Sequence, residues 1–315
     1  MTLCILHLGS EKTGTSSVQK YFGARRAELL EKGFWYPRAF CNPDAHVHLR
    51  LSDAAIDGNL TQDAIEVGLF ERELGVAQKA NFKAAIFSSE FFHSEMRDNR
   101  SVSYLKEFLS QYFGEFQLHY YARRQDQMLA SMHSTAVKGG WTTSHDAMSV
   151  YESKGHHYFD HSAVCNLWAG EFGAENMRCR VYERDKLVNG DIVEDLTAAI
   201  GIKLTGDTPL QQANESLSLE TLCALLLLNG SKHKDNKEFR RRLIAMGKKR
   251  NGKRTPMLKR SDALAFHDRF RDTNREFFAR YVESTLATEF SADFSGFPDT
   301  LPHISAEEIQ SFIFG

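Results

Sequence analysis

Short apolar runs alternate with longer amphipathic stretches along the first two thirds of the chain. The runs have the length of strands, and the stretches between them repeat with the period of a helix. This alternation is typical of a parallel β-sheet whose strands are joined by crossover helices, and it predicts an α/β fold. The predicted strands are Leu3–Leu8, Phe34–Tyr36, Ala84–Ser88, Gln117–Ala122 and Arg178–Tyr182, and the predicted helices lie near residues 15–32, 62–79, 101–113, 124–138 and 160–172.

The last third of the chain has a helical pattern throughout. Helices are predicted near residues 192–200, 216–229, 234–246 and 261–289, with Ser261 and Asp262 as the N-terminal cap of the last one. We therefore expect a single α/β domain over residues 1–315, with a core at about 1–205 and a helical C-terminal extension at about 206–315.

Composition limits the classes of protein that the chain can belong to. With 315 residues, 42% hydrophobic and 25% charged, it can bury a sizeable core. A net charge of −2 gives no whole-chain case for binding nucleic acid or membranes. The five scattered cysteines contain no C-x-x-C pair, which favours reduced thiols over disulfides or a zinc site. No basic leader or membrane-length apolar run is present, so we expect a cytoplasmic protein without a transmembrane segment.

A glycine-containing turn follows the first predicted strand and leads into the first predicted helix. Helix N-termini that follow such turns bind anions, because unpaired N–H groups and the helix dipole meet there. Gly9, Gly14 and Ser16 match three positions of the nucleoside-triphosphate loop G-x-x-x-x-G-K-[ST]. Thr15 occupies the position of the usual lysine, and Lys12 lies inside the loop instead. Kinases need that lysine at the helix start, together with Mg²⁺. The turn therefore predicts a P-loop-type sheet, but it does not favour a kinase.

The segment Lys12-Thr-Gly-Thr-Ser16 resembles the 5′-phosphosulfate loop of sulfotransferases that use 3′-phosphoadenosine 5′-phosphosulfate (PAPS), in particular bacterial-type relatives of the carbohydrate sulfotransferases. Two further segments are similar to that family. Arg123 at a predicted strand end, with Ser131 eight residues later, resembles the family's 3′-phosphate site, and Tyr182 resembles a residue near the adenine. The resemblance covers about residues 2–190. It implies that the donor is contacted by Lys12, Thr13, Gly14, Thr15, Ser16, Ser17, Arg123, Ser131 and Tyr182.

This resemblance implies transfer of a sulfuryl group from PAPS to a hydroxyl of a saccharide or glycolipid, with adenosine 3′,5′-bisphosphate (PAP) as the product and no metal. Lys12 would stabilise charge on the bridging oxygen, and a general base would take the proton of the acceptor. The candidate bases are Glu90, at the end of a predicted strand, and His46 and His48 in the segment 44–49. The alternatives are a small-molecule or nucleotide kinase, and a relative that binds donor or glycan without catalysis.

A basic segment runs from Lys232 to Arg260 and contains thirteen Lys or Arg against two acids. Its local positive field would attract anionic ligands. Within it, residues 248–254 loosely resemble the basic loop that contacts the 3′-phosphate in many sulfotransferases. The segment has one aromatic residue, Phe239, and no series of aromatics interleaved with the basic residues, so we do not expect nucleic acid as a partner.

Overall fold

The computed structural model describes residues 2–42, 45–203, 217–249 and 255–314. In this part of the chain the strands form one all-parallel sheet in the order β2-β3-β1-β4-β5. The α/β class and the parallel sheet flanked by helices are therefore confirmed. The strands are β1 (Leu3–Gly9), β2 (Phe34–Trp35), β3 (Ala84–Ser88), β4 (Glu115–Ala122) and β5 (Met177–Val181). Each begins within two residues of its predicted start.

The helices of the described residues are α1 (Thr15–Ala24), α2 (Arg26–Glu31), α3 (Leu49–Asp57), α4 (Ala64–Lys79), α5 (Phe91–Ser94), α6 (Asn99–Ser110), α7 (Gln125–Gly139), α8 (Met148–Lys154), α9 (His161–Phe172), α10 (Ile192–Ala199), α11 (Leu219–Asn229), α12 (Lys237–Lys249), α13 (Arg260–Asp268), α14 (Arg271–Tyr281) and α15 (Ala306–Phe314). Short 3₁₀ turns occupy His157–Phe159, Ala174–Asn176 and Val188–Gly190. Side chains of Asp63, Asp98, Asp160, Asp191 and Ser218 cap α4, α6, α9, α10 and α11 by accepting bonds from first-turn N–H groups.

The chain divides into two compact units. The first comprises Met1–Arg123, Asp160–Ala213 and Asp272–Phe290, and it contains the whole sheet. β1 is its central strand and, apart from the buried His7, is apolar on both faces, as expected for a strand covered by helices on both sides. Leu6 and Leu8 of β1 join one apolar cluster, and Ile5 joins the other with residues of α1 and α10. Buried apolar area on both faces of the sheet therefore stabilises this unit.

The second unit comprises Arg124–Phe159, Asn214–Arg271 and Ser291–Gly315, and its described regular structure is helical. One apolar cluster gathers side chains of α7, α8 and α13, including Met128, Val150 and Phe266. Another surrounds α11, whose leucines pack against α12 and α15. The guanidinium of Arg124 is buried here, donating to both carboxylate oxygens of Asp126 at 2.8 and 3.0 Å. The expectation of one domain over residues 1–315 stays a prediction.

Two predicted helices are each divided in the structure. The helix predicted near 15–32 is two helices, because the backbone leaves helical geometry at Arg25 (φ −117°, ψ 24°). The prediction of one helix over 261–289 is also wrong, since α13 ends at Asp268 and α14 runs from Arg271 to Tyr281. The two pieces pack into different apolar clusters, through Phe266 of α13 and Phe277 of α14. Packing therefore overrides the continuous helical pattern. The predicted cap at Ser261 is also wrong, because α13 begins at Arg260.

Candidate functional site

The turn between β1 and α1 lies at the carboxyl edge of the sheet, where open α/β folds bind their ligands. Gly14 directly precedes α1 and has a left-handed backbone (φ 79°). A Cβ at Gly14 would lie 2.9 Å from the Ile192 side chain and 3.3 Å from the Tyr182 hydroxyl, so a side chain there would clash. Lys12 also has a positive φ of 68°, which is uncommon for a residue other than glycine. Strained backbone of this kind is often found at ligand-binding turns.

Hydrogen bonds hold this turn, residues 9–14, against β4. The Ser10 hydroxyl donates to the Tyr121 carbonyl at 3.0 Å, and the Thr13 hydroxyl donates to the Ser10 carbonyl at 2.5 Å. Ser10 and Thr13 are fully buried. The Thr13 side chain therefore serves the shape of the turn, whereas Ser16 and Ser17 are half-buried in the first turn of α1. The turn is anchored and its N–H groups have a defined direction, as a preorganised anion site requires.

Arg123 closes β4 beside the same turn. Its Nη1 donates to the Lys12 carbonyl at 2.7 Å, and its guanidinium carbon lies 5.7 Å from the centre of the Tyr182 ring. Tyr182 directly follows β5, and its N–H donates to the Ala122 carbonyl at 2.7 Å. The structure thus brings together Lys12, Gly14, Arg123 and Tyr182, the first and last of which are 170 residues apart in the sequence.

Ser131, the other residue predicted for the 3′-phosphate, lies in the second turn of α7 and is half-buried. It belongs to the second unit, and its carbonyl accepts a bond from the Thr135 hydroxyl at 3.1 Å. Its pairing with Arg123 stays a prediction. The basic stretch 248–254 lies largely outside the described residues, which include only Lys248 and Lys249 of it, at the end of α12.

Glu90 lies at the start of α5, two residues after β3 ends. Its Cα lies 3.5 Å from where a Cβ on Gly9 would be, so its backbone contacts the turn. Burial raises the pKa of the Glu90 carboxyl, while a hydrogen bond from Gln19 and the charge of Lys12 partly offset that rise. Gln19 Nε2 donates to Glu90 Oε2 at 2.5 Å. A carboxylate whose pKa is raised is a stronger base, so Glu90 has the properties of a general base beside the candidate anion site.

The two candidate histidines occupy different environments. His48 is fully buried, with Nδ1 accepting from the Ser88 N–H at 3.0 Å. Its Nε2 lies 3.2 Å from the Pro37 carbonyl, to which it donates. Burial lowers the pKa of His48 to about 3. Because both of its nitrogens are bonded to backbone groups, a structural function is favoured for His48. Its assignment as a general base stays a prediction.

His46 lies against the other end of α1. Its ring covers Gly23 in the last turn of that helix, where glycine leaves room for the imidazole. Gly23 is eight residues from Thr15, about 12 Å along the helix axis from the turn at its N-terminus. The carbonyl of His46 accepts a bond from the Tyr36 hydroxyl at 2.7 Å. The structure therefore does not bring His46 to the turn, which leaves Glu90 as the candidate base nearest to Lys12.

Three residues that support the site were not singled out in the sequence. Gln19 orients Glu90, as described above. His93 of α5 is buried, and its Nδ1 accepts from the Glu11 N–H at 3.4 Å, so it holds the turn from the β3 side. His161 of α9 lies 2.7 Å from the Tyr120 hydroxyl through Nδ1 and donates from Nε2 to the Arg123 carbonyl at 2.8 Å. The sequence carried no signal for them, since Gln19 is followed by Lys20 and His161 lies between Asp160 and Ser162.

A cavity of about 450 Å³ lies at the opposite, amino edge of the sheet, lined by residues that include Leu3, Gln117 and Arg178. Ligands of open α/β sheets bind at the carboxyl edge, so we assign the candidate site to the turn. Within the described ranges, no group of three or more His, Cys, Asp or Glu side chains is placed to hold a metal ion. The helices of those ranges are also too short or too polar to span a bilayer.

Comparison with known proteins adds little to this geometry. No protein-family model matches the chain, and no solved structure matches it. A protein of Archaeoglobus fulgidus, described as uncharacterized, is 23% identical over 165 residues, which make up 51% of this chain and 44% of that protein. The match spans less than half of the relative, so it assigns neither a family nor an activity.

The lowered pKa values of three buried histidines in the first unit predict how the stability of the fold depends on pH. Burial lowers the pKa values of His7, His48 and His119 to about 3, whereas an unfolded chain gives them about 6.5. Between these values the unfolded state binds more protons, so we expect the free energy of unfolding to fall as pH drops from 6.5 to 5. The slope should reach about 1.4 kcal/mol per pH unit for each histidine.

Urea denaturation at several pH values measures this slope, and His119→Gln should reduce it by up to about 1.4 kcal/mol per pH unit. His145→Gln, at an exposed position, is the matched control and should leave the slope unchanged. A stability that stays constant between pH 6.5 and 5 would contradict the assignment of these histidines as neutral.

Proposed function

We propose that this protein is a sulfotransferase that moves the sulfuryl group of PAPS to a hydroxyl of a saccharide or glycolipid. The observation that carries the proposal is the meeting of Lys12, Glu90 and Arg123 at the turn between β1 and α1. Sulfuryl transfer needs positive charge at the leaving phosphate and a base at the acceptor hydroxyl. Lys12 supplies the first and Glu90 the second, and Arg123 adds a guanidinium suited to a phosphate monoester.

We infer that the sheet is of P-loop type, with the turn as its phosphate loop. The order of strand, glycine-containing turn and helix supports this inference, as do the left-handed backbone at Gly14 and the anchoring of Ser10 and Thr13. Thr15 stands where a nucleoside-triphosphate loop has its lysine. The positive charge therefore comes from within the turn, which favours a phosphosulfate over a triphosphate.

In the proposed reaction Glu90 takes the proton of the acceptor hydroxyl as its oxygen attacks the sulfur. The bond between sulfur and the bridging phosphate oxygen breaks, and its electron pair stays on that oxygen, leaving PAP. Lys12 and the N-terminal N–H groups of α1 stabilise the charge that develops there. Gln19 holds the Glu90 carboxylate in place through the bond to Oε2. Atoms and charge balance with donor and acceptor alone.

Calorimetric titration with PAP, adenosine 5′-monophosphate (AMP), and ATP with Mg²⁺ tests the donor assignment. We expect PAP to bind more tightly than AMP by about 30- to 1,000-fold, because a charge-assisted contact to the 3′-phosphate is worth roughly 2–4 kcal/mol. Arg123→Ala should remove most of that preference, since AMP lacks the 3′-phosphate. Arg97→Ala, which removes an exposed arginine of the same unit, is the matched control and should leave the preference intact.

Because Arg123 also donates to the Lys12 carbonyl, its loss can loosen the turn and weaken both nucleotides. The ratio of the two affinities separates this effect from a direct contact. An undiminished ratio in Arg123→Ala would show that the 3′-phosphate is held elsewhere. Tighter binding of ATP than PAP, with activity that is lost on chelation of Mg²⁺, would instead favour a kinase. Tight PAP binding without turnover on any hydroxyl acceptor would indicate a non-catalytic relative.

A further inference from the structure

The second unit presents an exposed tryptophan in a fixed position. Trp141 follows α7 and is 74% exposed, whereas Trp35 and Trp168 are 6% and 0% exposed. Its backbone N–H donates to the Ala136 carbonyl at 2.8 Å, and its indole ring lies over Gly139, 2.8 Å from where a Cβ on that glycine would be. A single exposed apolar residue is common on protein surfaces. The indole therefore indicates a binding surface only together with the charged residues near it.

Cationic residues lie in the segments that meet near this tryptophan, and Arg240 of α12 links those segments through hydrogen bonds. Its guanidinium donates to the carbonyls of Val137 and Lys138 at the end of α7 at 3.3 and 3.4 Å, and to the Lys234 carbonyl at 2.8 Å. It also donates to Asn229 Oδ1, at the end of α11, at 2.8 Å. We define the Trp141 patch as the five exposed residues Lys138, Trp141, Lys234, Lys237 and Arg241.

The positive charge extends along α12. Lys237, Arg241 and Lys248 are separated by four and seven residues, so they lie on one side of the helix, and all three are exposed. The opposite side is apolar and is used in packing, since Leu243 is buried and Gly247 contacts Thr221 of α11. Asp235 and Glu238 are the acids within residues 232–249, against eight Lys or Arg. The exposed side of α12 is therefore cationic, and the helix is not free to insert into a bilayer.

We propose that the Trp141 patch binds an anionic membrane surface. Lysine and arginine near such a surface are attracted by its negative potential, and tryptophan prefers the headgroup level, where its apolar ring and N–H are both satisfied. A basic helix face beside one exposed tryptophan has this combination of charge and amphipathic character. Single-stranded nucleic acid is favoured less, because it binds platforms on which successive bases stack, and Phe239 of α12 packs inward.

Sedimentation with lipid vesicles, in the absence of nucleotide, tests the proposal independently of the donor site. We expect binding to vesicles containing phosphatidylserine, little binding to phosphatidylcholine alone, and weakening by salt. The double variant Lys237→Gln, Arg241→Gln should lower the partition coefficient by about 25-fold, at about fivefold for each cation. The matched control Lys79→Gln, Lys83→Gln removes the same charge from exposed positions of the first unit and should bind as the wild type does.

Tryptophan fluorescence gives a second readout, because Trp141 is the exposed indole of the three. Its emission should shift to shorter wavelength on anionic vesicles and be quenched by brominated lipid, and Trp141→Phe should lose both signals. Absence of phosphatidylserine-dependent binding would overturn the proposal. Binding without quenching by brominated lipid would overturn the assignment of Trp141 to the membrane surface. Tighter binding to a heparin fragment or a single-stranded oligonucleotide at the same salt would assign the patch to a soluble polyanion instead.

Discussion

Replacing Lys12 by methionine should lower turnover with PAPS by about 100- to 1,000-fold. The side chain keeps most of its length but loses the charge that stabilises the bridging oxygen. Removing a single preorganised charge-stabilising group has an effect of this size. The backbone at Lys12 has a positive φ, and lysine and methionine carry the same steric penalty there, so the fold should be retained. Steady-state kinetics with labelled PAPS measures the effect, and a thermal melt checks the fold.

Lys20→Met is the matched control for this variant. Lys20 lies on α1, is exposed, and is outside the proposed site, so its loss should leave turnover unchanged. Lys12→Arg keeps the positive charge and should recover part of the lost rate. Turnover near that of the wild type in Lys12→Met would show that the charge at the turn is not used in the reaction.

Glu90→Gln should lower kcat by about 100- to 10,000-fold, because the amide cannot accept the proton of the acceptor hydroxyl. The affinity for PAP should change only a few-fold, since the amide oxygen can still accept the bond from Gln19. The pKa of Glu90 is raised above its usual value, so kcat/KM of the wild type should fall as pH drops through that raised pKa. This inflection should be absent from the variant, and a pH–rate profile records it.

Glu95→Gln, at the exposed end of the same helix, is the matched control and should retain both the rate and the inflection. If Glu90→Gln kept its pH dependence while losing rate, Glu90 would position the substrate and another group would take the proton. His48 would then be tested next. Its engagement with the Ser88 N–H and the Pro37 carbonyl predicts that His48→Gln lowers stability more than it changes the pH profile.

Predictions from the local sequence pattern agreed best with the structure where the residues of a segment decide its conformation without help from distant segments. The strands could be predicted because buried parallel strands are nearly continuous apolar runs, and Leu3–Gly9 is such a run apart from His7. The start of α1 could be predicted because a glycine-containing turn precedes it. The divided helices could not, since no residue around Asp268 interrupts the helical pattern and a single glycine such as Gly23, before Arg25, is tolerated within helices. Those breaks depend on the clusters that each piece packs against.

The same division applies to the candidate site. The sequence by itself determined the turn with Lys12, the α/β class, and the positions of Glu90 and Arg123 at strand ends, because these follow from short-range patterns of apolar and turn residues. Only the tertiary structure decided that Arg123 bonds to the Lys12 carbonyl, that Gln19 holds Glu90, and that His46 lies at the far end of α1. A histidine, glutamine or arginine has the same local pattern whether it is buried with backbone partners or faces a ligand. Its chemistry is set by which distant segments surround it, and these are fixed by the packing of the whole sheet.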